Sequence, residues 1–324
     1  MKFISKCKQA FTMIELVFVI VILGIVASIG SQIIVQVYEG YIVQRAVHDA
    51  SVKTELAINA LANRLVYRID MSMLARKIPE PGDTHLTLSD NDAYAIQDLP
   101  LTQVNNYPIL EWISYDNDGF SAYGTPSWSG FTDLDSSTFG TLKTTGSQLT
   151  REGPIMSYYT GSITEGAAII FLGDTQYRND GGSYEGKCMY RTDGCIFPIT
   201  LNGTAETFNF HSGTANDGNR TATNMIYSEF YQLATSAFAV VPENEHTLAV
   251  GQINVTVHDL RFYYGYQPWE GENYTNGRSA LLLENVSVFR FKKEPNSIRL
   301  KICVVERIGA TDKISICKEK AVIR

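Results

Sequence analysis

A long charge-free segment near the N-terminus limits what this chain can become. The 23 residues from Leu16 to Tyr38 contain no charged side chain. As an α-helix rising about 1.5 Å per residue, the segment would be roughly 35 Å long, enough to cross the ~30 Å hydrocarbon core of a bilayer. Lys2, Lys6 and Lys8 precede it, and Glu39 is the first charge after it. Because basic residues stay on the cytoplasmic side, the sequence predicts a single-pass protein with a cytoplasmic N-terminus.

A cleaved secretory signal peptide is the alternative interpretation of this segment. It would need an apolar region of about 7–15 residues followed by a small-x-small cleavage site. The apolar run is longer here, and Glu15 lies directly before it. A carboxylate beside a membrane span costs free energy unless it is paired, which makes Glu15 a candidate functional residue.

The residues around Glu15 form a recognisable motif. The stretch Ala10-Phe11-Thr12-Met13-Ile14-Glu15-Leu16-Val17 follows a basic leader and precedes the charge-free run. It resembles the prepilin leader of the type IV filament superfamily. That family's pattern is a short basic leader ending in glycine, then Phe-Thr-Leu-Ile-Glu-Leu and a long apolar run. This chain has Ala10 in place of the usual glycine and Met13 in place of the usual leucine.

The resemblance implies a processing and assembly pathway. Prepilin peptidase would remove the leader, residues 1–10, by cutting between Ala10 and Phe11, and Phe11 would be N-methylated. Thr12 and Glu15 would belong to the assembly motif of the mature chain. A carboxylate in a low dielectric seeks a cation, so Glu15 would pair with the Phe11 amine of a neighbouring subunit. The alternative is a Glu15 carboxylate solvated among the lipid headgroups.

The remainder of the chain divides into a helix and a β-rich region. Beyond Glu39, apolar residues recur three or four apart as far as Met73, and Pro79 and Pro81 end the pattern. The pattern predicts one helix over residues 11–78, with a membrane span at about 16–38 and an amphipathic second half. From Thr84 onwards short apolar runs alternate with turn signals, which predicts a mostly β globular domain over residues 79–324. Residues 116–165 are expected to be a loop-rich insertion.

The fold class predicted is therefore α+β, with a long N-terminal transmembrane helix packed on a mostly antiparallel β C-terminal domain. This is also the pilin-like fold that the resemblance implies. Near the C-terminus, three segments with period-2 alternation predict an antiparallel meander, at 281–292, 297–305 and 313–317. They are similar to the tail of the larger minor subunits, the J-type minor pseudopilins of type II secretion and the W-type minor pilins.

Cysteine usage fits a domain outside the inner membrane. Cys7 lies in the leader, and Cys188, Cys195, Cys303 and Cys317 remain after cleavage. Four cysteines allow three pairings, of which the local one, 188 with 195 and 303 with 317, is expected. A zinc site is the alternative, but neither spacing fits the usual Cys-x₂₋₄-Cys pairs.

Other possible sites carry weaker signals. The stretch Asp116-Asn117-Asp118-Gly119 is faintly similar to a calcium loop but lacks the spacing and terminal Glu of an EF-hand. We therefore predict no cofactor or metal, with calcium as the alternative. Asn219 stands in Asp217-Gly218-Asn219-Arg220-Thr221, which resembles the extended acceptor motif of some bacterial glycosyltransferases. An unmodified loop asparagine is the other interpretation.

These observations favour a structural role over catalysis. The sequence contains no Gly-x-Ser-x-Gly, His-Glu-x-x-His or phosphate-binding glycine loop, so we expect no enzyme activity. A net charge of −7 makes nucleic acid an unlikely partner. The resemblance implies a minor pseudopilin with a periplasmic C-terminal domain. Its partners would be prepilin peptidase, other major and minor pilins or pseudopilins, and the inner-membrane assembly platform. A minor type IV pilin for twitching, adhesion or DNA uptake is the alternative, and a membrane-anchored periplasmic enzyme is a more distant one.

Overall fold

The structure is a computed structural model that describes residues 12–79, 92–121, 124–138, 140–172, 189, 196–210, 228–309 and 312–323. These residues form three α-helices, which are α1 (Met13–Leu65), α2 (Asn117–Phe120) and α3 (Glu152–Thr160). They also form twelve strands, which are β1 (Leu74–Arg76), β2 (Ala93–Ala95), β3 (Ile109–Tyr115), β4 (Thr141–Lys143), β5 (Ala167–Phe171), β6 (Phe197–Leu201), β7 (Thr207–Phe210), β8 (Tyr231–Val250), β9 (Ile253–Tyr266), β10 (Arg278–Glu294), β11 (Ser297–Ile308) and β12 (Asp312–Ile323).

The strands form one sheet in which every described pairing is antiparallel. Its main path runs β12-β11-β10-β9-β8-β5-β6-β7-β4, and β3, β1 and β2 branch from β8. The 20-residue β8 is the organising strand, because it pairs with β3, β5 and β9. The predicted α+β class, a long helix with a mostly antiparallel domain, is confirmed. The predicted C-terminal meander corresponds to β10, β11 and β12.

Helix α1 ends at Leu65 rather than continuing to residue 78. Directly after it, the Arg68 guanidinium donates to the Leu65 carbonyl at 2.8 Å, which satisfies an acceptor left free at the helix end. The Ile69 N–H then donates to the carbonyl of Ile113 on β3 at 2.8 Å, so the backbone leaves the helix and joins the sheet. Ile69 and Met73 continue the helical spacing and are buried. They lie after the end of α1, however, and are buried in clusters that contain side chains of the sheet. Spacing alone does not distinguish these two ways of burying a side chain.

The second half of α1 packs on the meander. Its buried side chains recur on one stripe, which consists of Ala50, Thr54, Ala57, Ile58, Leu61, Ala62 and Leu65. Leu300, Ile302 and Val322 of the meander belong to the same apolar cluster. In the same cluster, the Trp112 ring stacks on Phe238 with 5.8 Å between the centroids. The apolar stripe of α1 is therefore explained by burial against one face of the sheet.

Residues 116–165 are loop-rich but integral to the sheet domain. They contain α2, β4 and α3, and β4 pairs with β7. Trp128, Leu142 and Leu149 are buried in the same apolar cluster as β5, β6 and β7. The segment therefore supplies part of the core instead of decorating it.

A disulfide bond joins Cys303 on β11 to Cys317 on β12. The two residues are directly opposite in the register, with 4.0 Å between their Cα atoms. Cys188 and Cys195, the other predicted pair, lie outside the described residues.

Replacing both Cys303 and Cys317 by alanine is expected to lower the free energy of unfolding by about 3 kcal/mol, because the bond closes a loop of about 15 residues in the unfolded chain. Denaturant unfolding of the detergent-purified full chain measures this loss. Ser315→Ala, a small substitution on the same strand, is the control and should change little. Unchanged stability of the double variant, or free thiols at both cysteines in the unreduced protein, would contradict the prediction.

Candidate functional site

The first described residue, Thr12, marks the start of α1. Its backbone is extended, with φ −73° and ψ 148°. Its carbonyl accepts hydrogen bonds from the N–H groups of Glu15 at 3.1 Å and Leu16 at 3.2 Å. Its hydroxyl makes no capping bond to the helix. The helix therefore begins directly after the predicted cleavage position, while Ala10 and Phe11 lie outside the described residues.

Glu15 lies in the first turn of α1. A negative side chain is favoured there, because the N–H groups of the first turn carry partial positive charge. Within the described residues, Glu15 has no ion-pair or side-chain hydrogen-bond partner. Its exposed carboxylate is thus available to a group from another molecule.

The helix surface beyond Glu15 is apolar and uncovered. Ala50 is the first buried residue of α1, so residues 13–49 project from the domain. At about 1.5 Å per residue, this projection is roughly 55 Å long. Large apolar side chains are exposed all along it, among them Phe18 at 68%, Leu23 at 60% and Ile34 at 70%. Such a surface needs an apolar partner, either lipid or other helices.

Two lysines of β12 hold α1 to the sheet below this projection. The Lys318 ammonium lies 3.5 Å from the Glu55 carboxylate, and the Lys320 ammonium donates to the side-chain oxygen of Asn59. These contacts are partly exposed, so apolar packing supplies most of the stabilisation. They add polar contacts between β12 and two successive turns of α1.

Comparison with known families gives one match, at this end of the chain. Residues 5–31 match a family model described as the prokaryotic N-terminal methylation motif. The chain carries a prepilin-type methylation motif. No curated protein and no solved structure matches the chain significantly.

The motif supports a type IV pilin-like protein, and that family consists of structural subunits rather than enzymes. It implies processing by prepilin peptidase and assembly with other pilins. In the part of the chain that the structure describes, α1 is the one helix long and apolar enough to cross a membrane, and no residue of its most apolar window is buried. It is therefore a candidate single membrane anchor, as expected for this family.

In the candidate calcium loop, both the side chain and the carbonyl of Asp116 accept hydrogen bonds from nearby residues. The Asp116 carboxylate accepts from the Gly119 N–H at 2.8 Å and caps α2, and the Asp116 carbonyl accepts from the Trp128 indole at 2.9 Å. Among the described residues, no three His, Cys, Asp or Glu side chains are grouped to hold a metal ion. Asn219, the candidate glycosylation site, lies outside those residues.

Sequence reasoning missed the buried partner of Asp116. Glu152, the first residue of α3, is fully buried, and its carboxyl group lies beside that of Asp116, while neither of its oxygens accepts a hydrogen bond from a donor in the described residues. A Cβ atom on Gly119 would overlap both carboxyl groups, so only glycine leaves room for them. Burial, aided by the nearby Asp116 charge, raises the pKa of Glu152 to about 10, and burial also raises the pKa of Asp116. Glu152 is therefore protonated at neutral pH and can donate a hydrogen bond to Asp116.

Proposed function

We propose that this protein is a minor pseudopilin, a structural subunit in the tip or initiation complex of a type II secretion pseudopilus. The observation that carries the proposal is the methylation motif at the start of an uncovered apolar helix. The head domain extends from β1 to β12 and is large for a tightly packed filament. A head of this size fits better at a tip, where fewer neighbours surround it.

The proposed assembly step places the projecting helix among the helices of other subunits. Glu15 is the one acid between Thr12 and Tyr38 and has no partner in the described part of its own chain. In the apolar interior of a filament it requires a cation, and the Phe11 amine of a neighbouring subunit would supply one. Pairing the two groups would set the axial register between subunits.

A minor type IV pilin is the second candidate function. The methylation motif at residues 5–31 supports a pilin as well as a pseudopilin. A deletion strain separates the two functions when it is assayed for protein secretion, twitching and transformation. Loss of secretion alone supports the pseudopilin. Loss of twitching or transformation with normal secretion supports the pilin.

We expect the mature protein to begin with N-methylated Phe11. Mass spectrometry of the N-terminal peptide from the native host measures both cleavage after Ala10 and the added methyl group. Ala10→Leu should retain the leader, because a bulky side chain replaces the small one at the cleavage position, while Cys7→Ala should be processed normally. An N-terminus at Met1, or one downstream of Ala27, would contradict the prepilin assignment.

A further inference from the structure

A groove of about 340 Å³ lies between the loop that follows β2 and the strands β10 and β11. Its volume is within the range of ordinary ligand pockets. One wall is aliphatic, and the opposite wall is basic. The aliphatic wall includes Leu99, Leu101 and Val104, and the basic wall includes Arg290, Lys292 and Lys301.

The basic wall is a block of four cations at paired positions. Arg290 on β10 lies opposite Lys301 on β11, and Lys292 lies opposite Arg299. Residues that are opposite or two apart share a face of the sheet, so all four side chains leave from the same face. Like charges directly opposite each other destabilise a sheet. Glu319 on β12 is directly opposite Lys301 in the register, but its carboxylate pairs with Arg299.

Acidic side chains of the chain itself cover only part of this charge. Arg299 lies 3.2 Å from the Glu294 carboxylate and 3.3 Å from that of Glu319. Within the described residues, no hydrogen bond or ion pair reaches the side chains of Arg290, Lys292 or Lys301. Three cations of the groove are therefore available to an external anion.

The facing wall favours a ligand that is both acidic and apolar. Leu101 is 80% exposed, and Leu99 and Val104 are half-buried beside it. We propose that the groove binds an acidic peptide segment of a partner protein, with carboxylates on the three free cations and an aliphatic side chain against Leu101. This site is independent of the function proposed for the N-terminal helix.

Two other anionic partners fit the observations less well. Lys320, opposite Leu300 in the register, contacts Asn59, which lies about 32 Å beyond Tyr38 along the axis of α1. The headgroups of the bilayer that α1 would span are thus distant from the groove. A nucleic acid would favour an extended basic surface with aromatic side chains for stacking, whereas the exposed wall here is aliphatic.

Fluorescence anisotropy tests the proposal with the full chain in detergent and a labelled peptide of alternating Glu and Leu. Combining Lys292→Gln with Lys301→Gln is expected to weaken binding about tenfold, or ~1.4 kcal/mol. Leu101→Ser is expected to weaken it about fivefold. Affinity should also fall with increasing salt. Because the lysine substitutions relieve repulsion between like charges, the thermal unfolding temperature should not fall.

The chain offers a matched control for the charge change. Arg307 and Lys313 are also opposite cations on the same face of the meander, but they lie at the other end of β11 and outside the groove. Replacing both by glutamine should leave affinity within about twofold. Equal loss in this control, equal binding of a Gln-Leu peptide, or no binding by the unaltered protein would overturn the proposal. Tighter lysine-dependent binding of oligo-dT or anionic phospholipid vesicles would also overturn it.

Discussion

Replacing Glu15 by valine is expected to reduce incorporation into filaments or tip complexes on the order of a hundredfold. Removal of one partner from a buried ion pair costs about 3–5 kcal/mol, and the lower end of that range corresponds to a factor of roughly a hundred. The substitution also makes the span more apolar, so membrane insertion and cleavage should be unaffected. Immunoblotting of sheared filaments and membrane fractions measures incorporation and insertion separately.

The other end of the charge-free segment provides the control for Glu15→Val. Glu39 is exposed on the same helix, so Glu39→Val introduces the same side chain outside the methylation motif. It should assemble normally. Normal assembly of Glu15→Val would contradict the ion-pair mechanism while leaving cleavage after Ala10 intact. Failure of both variants would point to a general requirement for charge on both sides of the charge-free segment.

The elements predicted best are those whose patterns are long and whose burial has one cause. The charge-free run predicts the first half of α1 from its length and apolar composition, and the stripe that follows it predicts the second half from its helical spacing. The meander was predictable because β10, β11 and β12 alternate between a face on α1 and an exposed face. The N-terminal motif is recognised from the sequence alone and depends on no contact within the fold.

The features missed depend on contacts between distant parts of the chain. The chain leaves α1 for the sheet because β3, more than 40 residues later, pairs with it: the Ile69 N–H donates to the Ile113 carbonyl, and the Tyr115 N–H donates to the Tyr67 carbonyl. Glu152 meets Asp116 only because α3 and α2 pack together, and nothing in the spacing of the two acids predicts that contact. The groove likewise combines Leu101 with Lys292, which are almost two hundred residues apart.

Glu152→Gln is expected to raise the free energy of unfolding by about 3 kcal/mol at pH 7 and to reduce its dependence on pH. In the folded protein the pKa of Glu152 is about 10, whereas an unperturbed glutamate titrates near 4.5. Between these values the folded state keeps a proton that the unfolded state has released. Stability contributed by this group is therefore fully present below about pH 4.5 and falls, by up to about 1.4 kcal/mol per pH unit, as pH rises towards 10.

Glutamine imitates the protonated side chain without this cost, and its amide can donate to Asp116 as the protonated carboxyl does. Denaturant unfolding of the full chain in detergent at about pH 4.5, 7 and 9 compares the variant with the unaltered protein, and their difference should grow by about 1.4 kcal/mol per pH unit across this range. Glu165→Gln changes an exposed glutamate in the loop after α3 and should leave the pH dependence unaltered. Parallel stability curves for Glu152→Gln and the unaltered protein would show that Glu152 is ionised in the folded state. A rearrangement of α2 against α3 would then have to separate the two carboxyl groups. In the present structure the two groups fit side by side because Gly119 has no side chain.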